Sequence, residues 1–245
     1  MLTRAAPTHA AGPKRVVALA GNPNSGKTTL FNGLTGLRQK VGNYPGVTVE
    51  RKVGTLVVDG AQWDVLDLPG AYSLTARSPD EAIARDILLG DMDDTPRPDL
   101  VVVVVDASNL NRNLYIATQV LDTGVPAIVA LNMMDVVEAA GDEIDVEALS
   151  ERLGAPVVAT VANRRSGIED LATALADHTG QAEGRARWTM PDTARTHVAD
   201  VAEALRAAGV VDPGACDGEA VRLIGIDGSE ERVDRHGGVE LATAV

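Results

Sequence analysis

The chain has 245 residues, 45% of them apolar and 23% charged, which is enough apolar content for a real core and rules out wholesale disorder. One Phe, two Trp and three Tyr leave that core to Val, Ala, Leu and Ile, and a single cysteine excludes an internal disulfide or a cysteine-cluster metal site. A net charge of −13 argues against a nucleic-acid-binding surface, and no apolar run approaches the roughly 18 residues of a membrane span.

Residues 1–14, rich in Ala, Pro and Thr, read as a mobile tail, without the apolar middle of a secretion signal. From Arg15 an α/β rhythm begins. Residues 15–20 (RVVALA) form a short buried strand, followed by a glycine-rich loop and a helix to about Gly36. Residues 37–52 show no period and are expected to be an extended loop. Residues 53–58 and 62–66 alternate as a hairpin around Asp59-Gly60. Ser78-Pro79-Asp80-Glu81 carries a helix-start signature: serine cap, proline at the first helical position, glutamate three after the cap. The apolar runs 100–105, 127–131 and 156–159 read as buried parallel strands. Helical patterns fill 109–123, 145–153 and 168–178, with Gly154 and Gly180 placed as C-terminal caps.

Strands alternating with helices predict an α/β fold with a doubly wound, mostly parallel sheet and a ligand site at the carboxyl ends of its strands. After Gly180 the strands stop. Helices at 192–208 and 217–224 predict a small all-α appendage. The expected division is a tail (1–14), a phosphate-loop domain (15–180) and a helical domain (181–245). The charge divides too: residues 1–52 carry eight Lys and Arg against one acid, a net of +7, and the remainder carries 14 arginines against 34 acids, a net of −20. A compact polyanion site on an acidic body accounts for this, as does a basic tail.

The stretch GNPNSGKT (Gly21, Asn22, Pro23, Asn24, Ser25, Gly26, Lys27, Thr28), followed by Thr29, matches the phosphate-loop pattern in the required strand–loop–helix setting. Backbone N–H groups at the helix start form a donor cradle for phosphate oxygens. Lys27 can reach the β- and γ-phosphates, and the Thr28 hydroxyl can ligate Mg²⁺. The strand 62–66 ends in Asp67-Leu68-Pro69-Gly70. Asp67 can hold Mg²⁺ through water and the Gly70 N–H can meet the γ-phosphate, although such a sequence alone is also an ordinary turn. Thr48 offers Mg²⁺ a second hydroxyl, or is simply a residue with strand propensity.

The strand 127–131 ends in Asn132-Met133-Met134-Asp135. Guanine presents two neighbouring donors, N1–H and the 2-amino group, which suit the two oxygens of one carboxylate; adenine presents an acceptor there and leaves Asp135 unpaired. Asn132 would tie this base loop to the phosphate loop. The competing reading of Asp135 is a helix cap.

Taken together, GNPNSGKTTLFN, VGNYPGVTVERKVG, DLPGAYSL, SPDE, VVDASNLNRNLY and LNMMD resemble, from about Arg15 to Leu171, the GTPase domain of the bacterial ferrous iron transport protein B family, a Ras-like phosphate-loop GTPase. The resemblance implies GTP and GDP as ligands, with Mg²⁺ and phosphate roles on Lys27, Thr28, Thr48, Asp67 and Gly70 and guanine contacts on Asn132, Met133 and Asp135. A last base-loop motif falls on Val161, Ala162 and Asn163, where Ala162 can offer its N–H to the guanine O6. It further implies a helical domain likened to a guanine-nucleotide dissociation inhibitor after 180 and an attached membrane-embedded iron-transport domain. From it follow a place on the cytoplasmic face of the bacterial inner membrane, small Feo partner proteins, homo-oligomerisation and no nucleic acid.

Two departures bear on rate. Ala71 follows DLPG where Ras-like proteins place a water-orienting glutamine, so hydrolysis is expected to be slow. Met133 replaces the usual lysine, implying modest affinity and fast exchange. The family is similar to potassium-activated GTPases, which implies that Asn24, with the Gly42 and Tyr44 carbonyls, holds K⁺ against the phosphates and supplies positive charge during transfer. The alternative for Asn24 is a loop-stabilising amide. The expected catalytic set is Lys27, Asn24, Thr48 and Gly70. Rival functions are a freestanding ribosome- or tRNA-associated GTPase and a GTP-sensing module with negligible hydrolysis. The four histidines, Cys216 and the acidic run 91–94 show no ligand spacing and enter no site.

Overall fold

The computed structural model describes residues 15–36, 39–44, 47–58, 60–92, 95–177, 192–209, 216 and 219–220. The expected tail, the Gly180 cap and all but two residues of the expected helix at 217–224 lie outside the described residues.

Among the described residues seven strands form one sheet in the order β2-β3-β4-β1-β5-β6-β7. They are β1 (Arg15–Gly21), β2 (Gln39–Asn43), β3 (Glu50–Val58), β4 (Ala61–Asp67), β5 (Leu100–Asp106), β6 (Ala127–Asn132) and β7 (Val157–Ala159). The strands β4, β1, β5, β6 and β7 run parallel, while β2 and β3 extend one edge antiparallel. The helices are α1 (Lys27–Thr35), α2 (Pro79–Leu89), α3 (Leu110–Asp122), α4 (Met134–Ala140), α5 (Val146–Leu153), α6 (Ile168–Asp177) and α7 (Asp192–Ala208).

The period of two along the central strands divides the core into two layers. Val17, Leu19, Val102, Val104, Ile128 and Ala130 face α1 and α6, packing on Leu30, Phe31, Leu34, Leu171 and Leu175. Ala18, Ala20, Val101, Val103, Val105, Val129 and Leu131 face the other way, onto Ile83 and Ile87 of α2 and Ile116 and Val120 of α3. With both faces covered, the unbroken valine run 101–105 is 0% exposed, and each such side chain contributes on the order of 2 kcal/mol. Farther on, Val198, Val201, Ala202 and Leu205 line one stripe of α7 and form a separate small cluster with Cys216 and Ala220.

Two expectations need correction. The stretch 37–52 is not an unbroken loop: β2 occupies 39–43 and β3 begins at Glu50, three residues before the expected start. All five residues of β2 are exposed, so no buried face imprints an alternation on the sequence. Helix α4 was not anticipated; it is seven residues long and fully buries only Val137, too little for a helical period. At α2 the Ser78 hydroxyl accepts from the Glu81 N–H (3.2 Å), as expected of a cap. The Glu81 carboxylate, however, accepts from Tyr72 N–H (3.1 Å) and Arg77 N–H (2.9 Å), closing the loop that precedes the helix.

Candidate nucleotide site

The register of the parallel strands gathers the predicted loops at one end of the sheet. Leu19 of β1 stands beside Asp67 of β4, and Asp106 of β5 beside Asn132 of β6. The chain after β4 is stitched to the phosphate loop by Leu68 N–H to Leu19 O (3.1 Å) and Ala71 N–H to Gly21 O (3.2 Å).

The loop 21–26 owes its shape to residues that accept positive φ. Gly26 at φ 87° starts α1, and a Cβ there would collide with the Asn132 amide. Asn24 at φ 66° adopts the left-handed region and is exposed. The buried Asn22 amide donates to the Arg112 carbonyl of α3 (3.4 Å), while Pro23 packs under Gly70. Thus Gly21 to Thr28 wraps the start of α1.

On one side of this loop lies a cavity of about 430 Å³ lined by Lys27, Thr48, Glu50, Lys52, Asp67 and Gly70, among others. The Lys27 ammonium stands 3.6 Å from Asp67 Oδ1, and the Thr28 hydroxyl donates to Asp67 Oδ2 (3.4 Å). Burial pushes the Asp67 carboxyl above its ordinary value, opposed by the nearby Lys27 and Lys52 charges and by the Thr28 hydroxyl. Its Oδ1 is buried without a hydrogen-bond partner. No group of three His, Cys, Asp or Glu side chains gathers among the described residues. The available donors are therefore hydroxyl and carboxylate oxygens, a hard set that fits Mg²⁺ when nucleotide oxygens complete the shell. Thr28, Thr48 and Asp67 would hold it.

On the other side is a cavity of about 270 Å³ lined by Gly26, Thr29, Asn132, Met133, Asp135, Ala162 and Asn163, among others. Asn132 organises it. Its Nδ2 donates to Ser25 O (2.9 Å), while its Oδ1 accepts from Ala162 N–H (3.0 Å) and from the Thr160 hydroxyl (3.3 Å). One buried amide thereby joins the phosphate loop to the loop after β7. Met133 takes φ 64° at the start of α4, which puts Asp135 in the first helical turn. The Arg164 guanidinium meets Asp135 Oδ2 at 3.3 Å. Val161 and Ser166 exchange backbone bonds of 3.0 and 3.2 Å, and the Arg165 guanidinium donates to Gly33 O of α1 (3.2 Å), fixing the loop. The Ala162 N–H, expected at the guanine O6, is donated here to Asn132.

Two of the three expected potassium ligands, Gly42 and Tyr44, have backbone partners of their own. Gly42 pairs with Arg51 across the β2–β3 ladder, and the Tyr44 carbonyl accepts from Val47 N–H (3.3 Å). Neither they nor Asn24 line the phosphate-side cavity. The Tyr44 side chain is buried in the core, its hydroxyl has no hydrogen-bond partner, and burial holds its pKa above the ordinary tyrosine value. Sequence reasoning missed Thr160, Arg164 and Arg165 as organisers of these loops, since no local pattern marks a residue whose partner lies on another loop.

A sequence family described as ferrous iron transport protein B matches residues 15–175. The Fe(2+) transporter FeoB of Salmonella typhimurium is 55% identical over 170 residues, which cover 67% of this chain and 21% of that protein. The chain thus spans about a fifth of the length of such relatives. Among solved structures, the cytosolic domain of L. pneumophila FeoB aligns with a TM-score of 0.78 at 37% identity, covering 94% of this chain and 93% of that one. A mutant of S. thermophilus NFeoB bound to GDP also aligns at 0.78, with 39% identity, 89% of this chain and 82% of the other. No helix among the described residues is long and apolar enough to cross a membrane. With the phosphate loop, the Asn132–Asp135 base loop and the seven-stranded sheet all falling inside the matched region, the chain belongs to the ferrous iron transport protein B family.

Proposed function

We propose that this chain binds GTP and GDP and slowly hydrolyses GTP, as the regulatory head of a membrane protein that takes up ferrous iron. The observation that carries the reading is two cavities sharing one phosphate loop, one presenting an ammonium and a buried carboxylate and the other a carboxylate at its rim. Guanine satisfies Asp135 with two donors, whereas adenine leaves a charge unpaired. Lys27 and the loop N–H groups bind the phosphates, and Thr28, Thr48 and Asp67 are suited to Mg²⁺, which when bound offsets charge on the β- and γ-phosphates.

Slow turnover follows from Ala71, a buried methyl whose N–H is committed to Gly21 O, so nothing at that position orients the attacking water. Potassium, held by Asn24 with the Gly42 and Tyr44 carbonyls, would supply the missing charge once Gly42 and Asn43 part from β3 and Tyr44 O gives up its bond from Val47. The relatives' name, Fe(2+) transporter, and their greater length support iron uptake through further chain, and the likeness to the cytosolic domain of L. pneumophila FeoB supports a place at the cytoplasmic face of the membrane.

Calorimetry on the 245-residue chain with Mg²⁺ tests the core of this reading. Heat with GDP and a GTP analogue, and none with ADP, is the expected result; equal affinity for ADP sinks it. Phosphate release faster in KCl than in NaCl, with the difference lost in Asn24→Ala, tests the potassium part, and equal rates for the parent chain in both salts discard it.

A further inference from the structure

We propose that Arg164 is a specificity-determining positioning residue, which holds the Asp135 carboxylate in the orientation that reads guanine. It acts from outside the base cavity. Asp135 lines that cavity and Arg164 does not, yet its guanidinium reaches Asp135 Oδ2 at 3.3 Å. The Asp135 side chain is 16% exposed and that of Arg164 70%, so the arginine approaches from the solvent side.

An ion pair so exposed adds little to stability, and its consequence is orientational. The aspartate's terminal torsion is broad, and a carboxylate turned away from the plane of the base loses one of its two contacts. A carboxylate has about four acceptor positions, so one can take the guanidinium while those facing the cavity stay open. Arg164 is presented from a well-fixed segment: Ala162 N–H on Asn132, the Val161–Ser166 bridge and Arg165 on Gly33 O hold the loop on both sides. Met133, in the same base loop, brings no charge. The cation beside the base-reading aspartate therefore comes from the loop after β7.

This inference rests on guanine as the occupant of the cavity. The test titrates the 245-residue chain with GDP, IDP (which lacks the 2-amino group) and ADP, for the parent and for Arg164→Ala, Arg164→Gln and Arg164→Lys. Arg164→Ala and Arg164→Gln are expected to weaken GDP by about threefold to fivefold, the scale of an exposed ion pair. IDP, with one donor to Asp135, is expected to lose less, so the GDP-over-IDP preference shrinks. Arg164→Lys restores most of the preference, and high salt narrows the gap between parent and Arg164→Ala. Equal losses for GDP and IDP would mean a general loop defect and overturn the inference, as would no loss at all. In both cases a parent preference for GDP over ADP leaves the guanine reading standing. A parent chain that binds GDP and ADP alike overturns both.

Discussion

The two cavities are built to different degrees. At the base end, Asn132 alone closes three hydrogen bonds, all to other loops, at 2.9, 3.0 and 3.3 Å, and it is 3% exposed. At the phosphate end, Asp67 keeps a buried oxygen without a hydrogen-bond partner, Thr48 is exposed, and the segment leading to it runs through an edge strand with all five residues exposed. One end is closed by hydrogen bonds between loops, while at the other Lys27 and Asp67 face each other at 3.6 Å in a cavity bordered by exposed chain. In the proposed function the base end would select the purine by fixed geometry, and the phosphate end, with exposed chain along it, would be the part that differs between GTP and GDP.

Substitutions at the two ends should therefore fail differently. Lys27→Ala is expected to weaken GTP binding about a hundredfold, the upper range for a hydrogen bond to a charged group. Equilibrium titration measures this, and a loss below about threefold would show that the phosphate end does not hold the nucleotide. Asn132→Ala strands the Ser25 carbonyl and the Ala162 N–H and leaves the Thr160 hydroxyl only Leu131 O (3.4 Å), a cost of about 3 kcal/mol even without nucleotide. Calorimetry should place its melting temperature roughly 6–12 °C below the parent; an unchanged value would contradict a preassembled base end.

Tyr44→Phe tests the opposite end. It removes a buried hydroxyl that has no partner, so the nucleotide-free chain is expected to gain about 1 kcal/mol and melt roughly 3 °C higher. A lower melting temperature would mean that this hydroxyl is paired in solution. The smallest effect is expected of Glu81→Gln, which weakens the clamp on Tyr72 and Arg77 N–H. Amide exchange at those two positions should quicken about fivefold, with α2 otherwise intact; unchanged exchange would remove Glu81 from the control of that loop.

The β5 and β6 strands, the phosphate loop and the α2 cap were legible because each leaves a local mark: an unbroken apolar run, a glycine spacing, a serine with a glutamate three residues on. Strand β2 was illegible because an edge strand without a buried face has no hydrophobic pattern to display. The pairing of its N–H and C=O groups with β3 depends on backbone register, to which the side chains of 39–43 offer no clue. Likewise the amide of Asn132 could be assigned to the phosphate loop in advance, but its second face, on Ala162 and Thr160, could not.

Local residue order thus decided which groups this chain carries: glycines where the loop must turn, the Lys27 ammonium after them and the Asp135 carboxylate after β6. Three-dimensional packing decided which of these groups meet. It set Arg164 against Asp135, spent the Ala162 N–H on Asn132, and buried the Tyr44 side chain in the core. The reason is one of range. Turn and strand preferences act over a few neighbouring residues, whereas a bond between residues 28, 30 or 107 apart along the chain, such as those joining Asn132 to Thr160, Ala162 and Ser25, exists only after the sheet has brought their strands side by side.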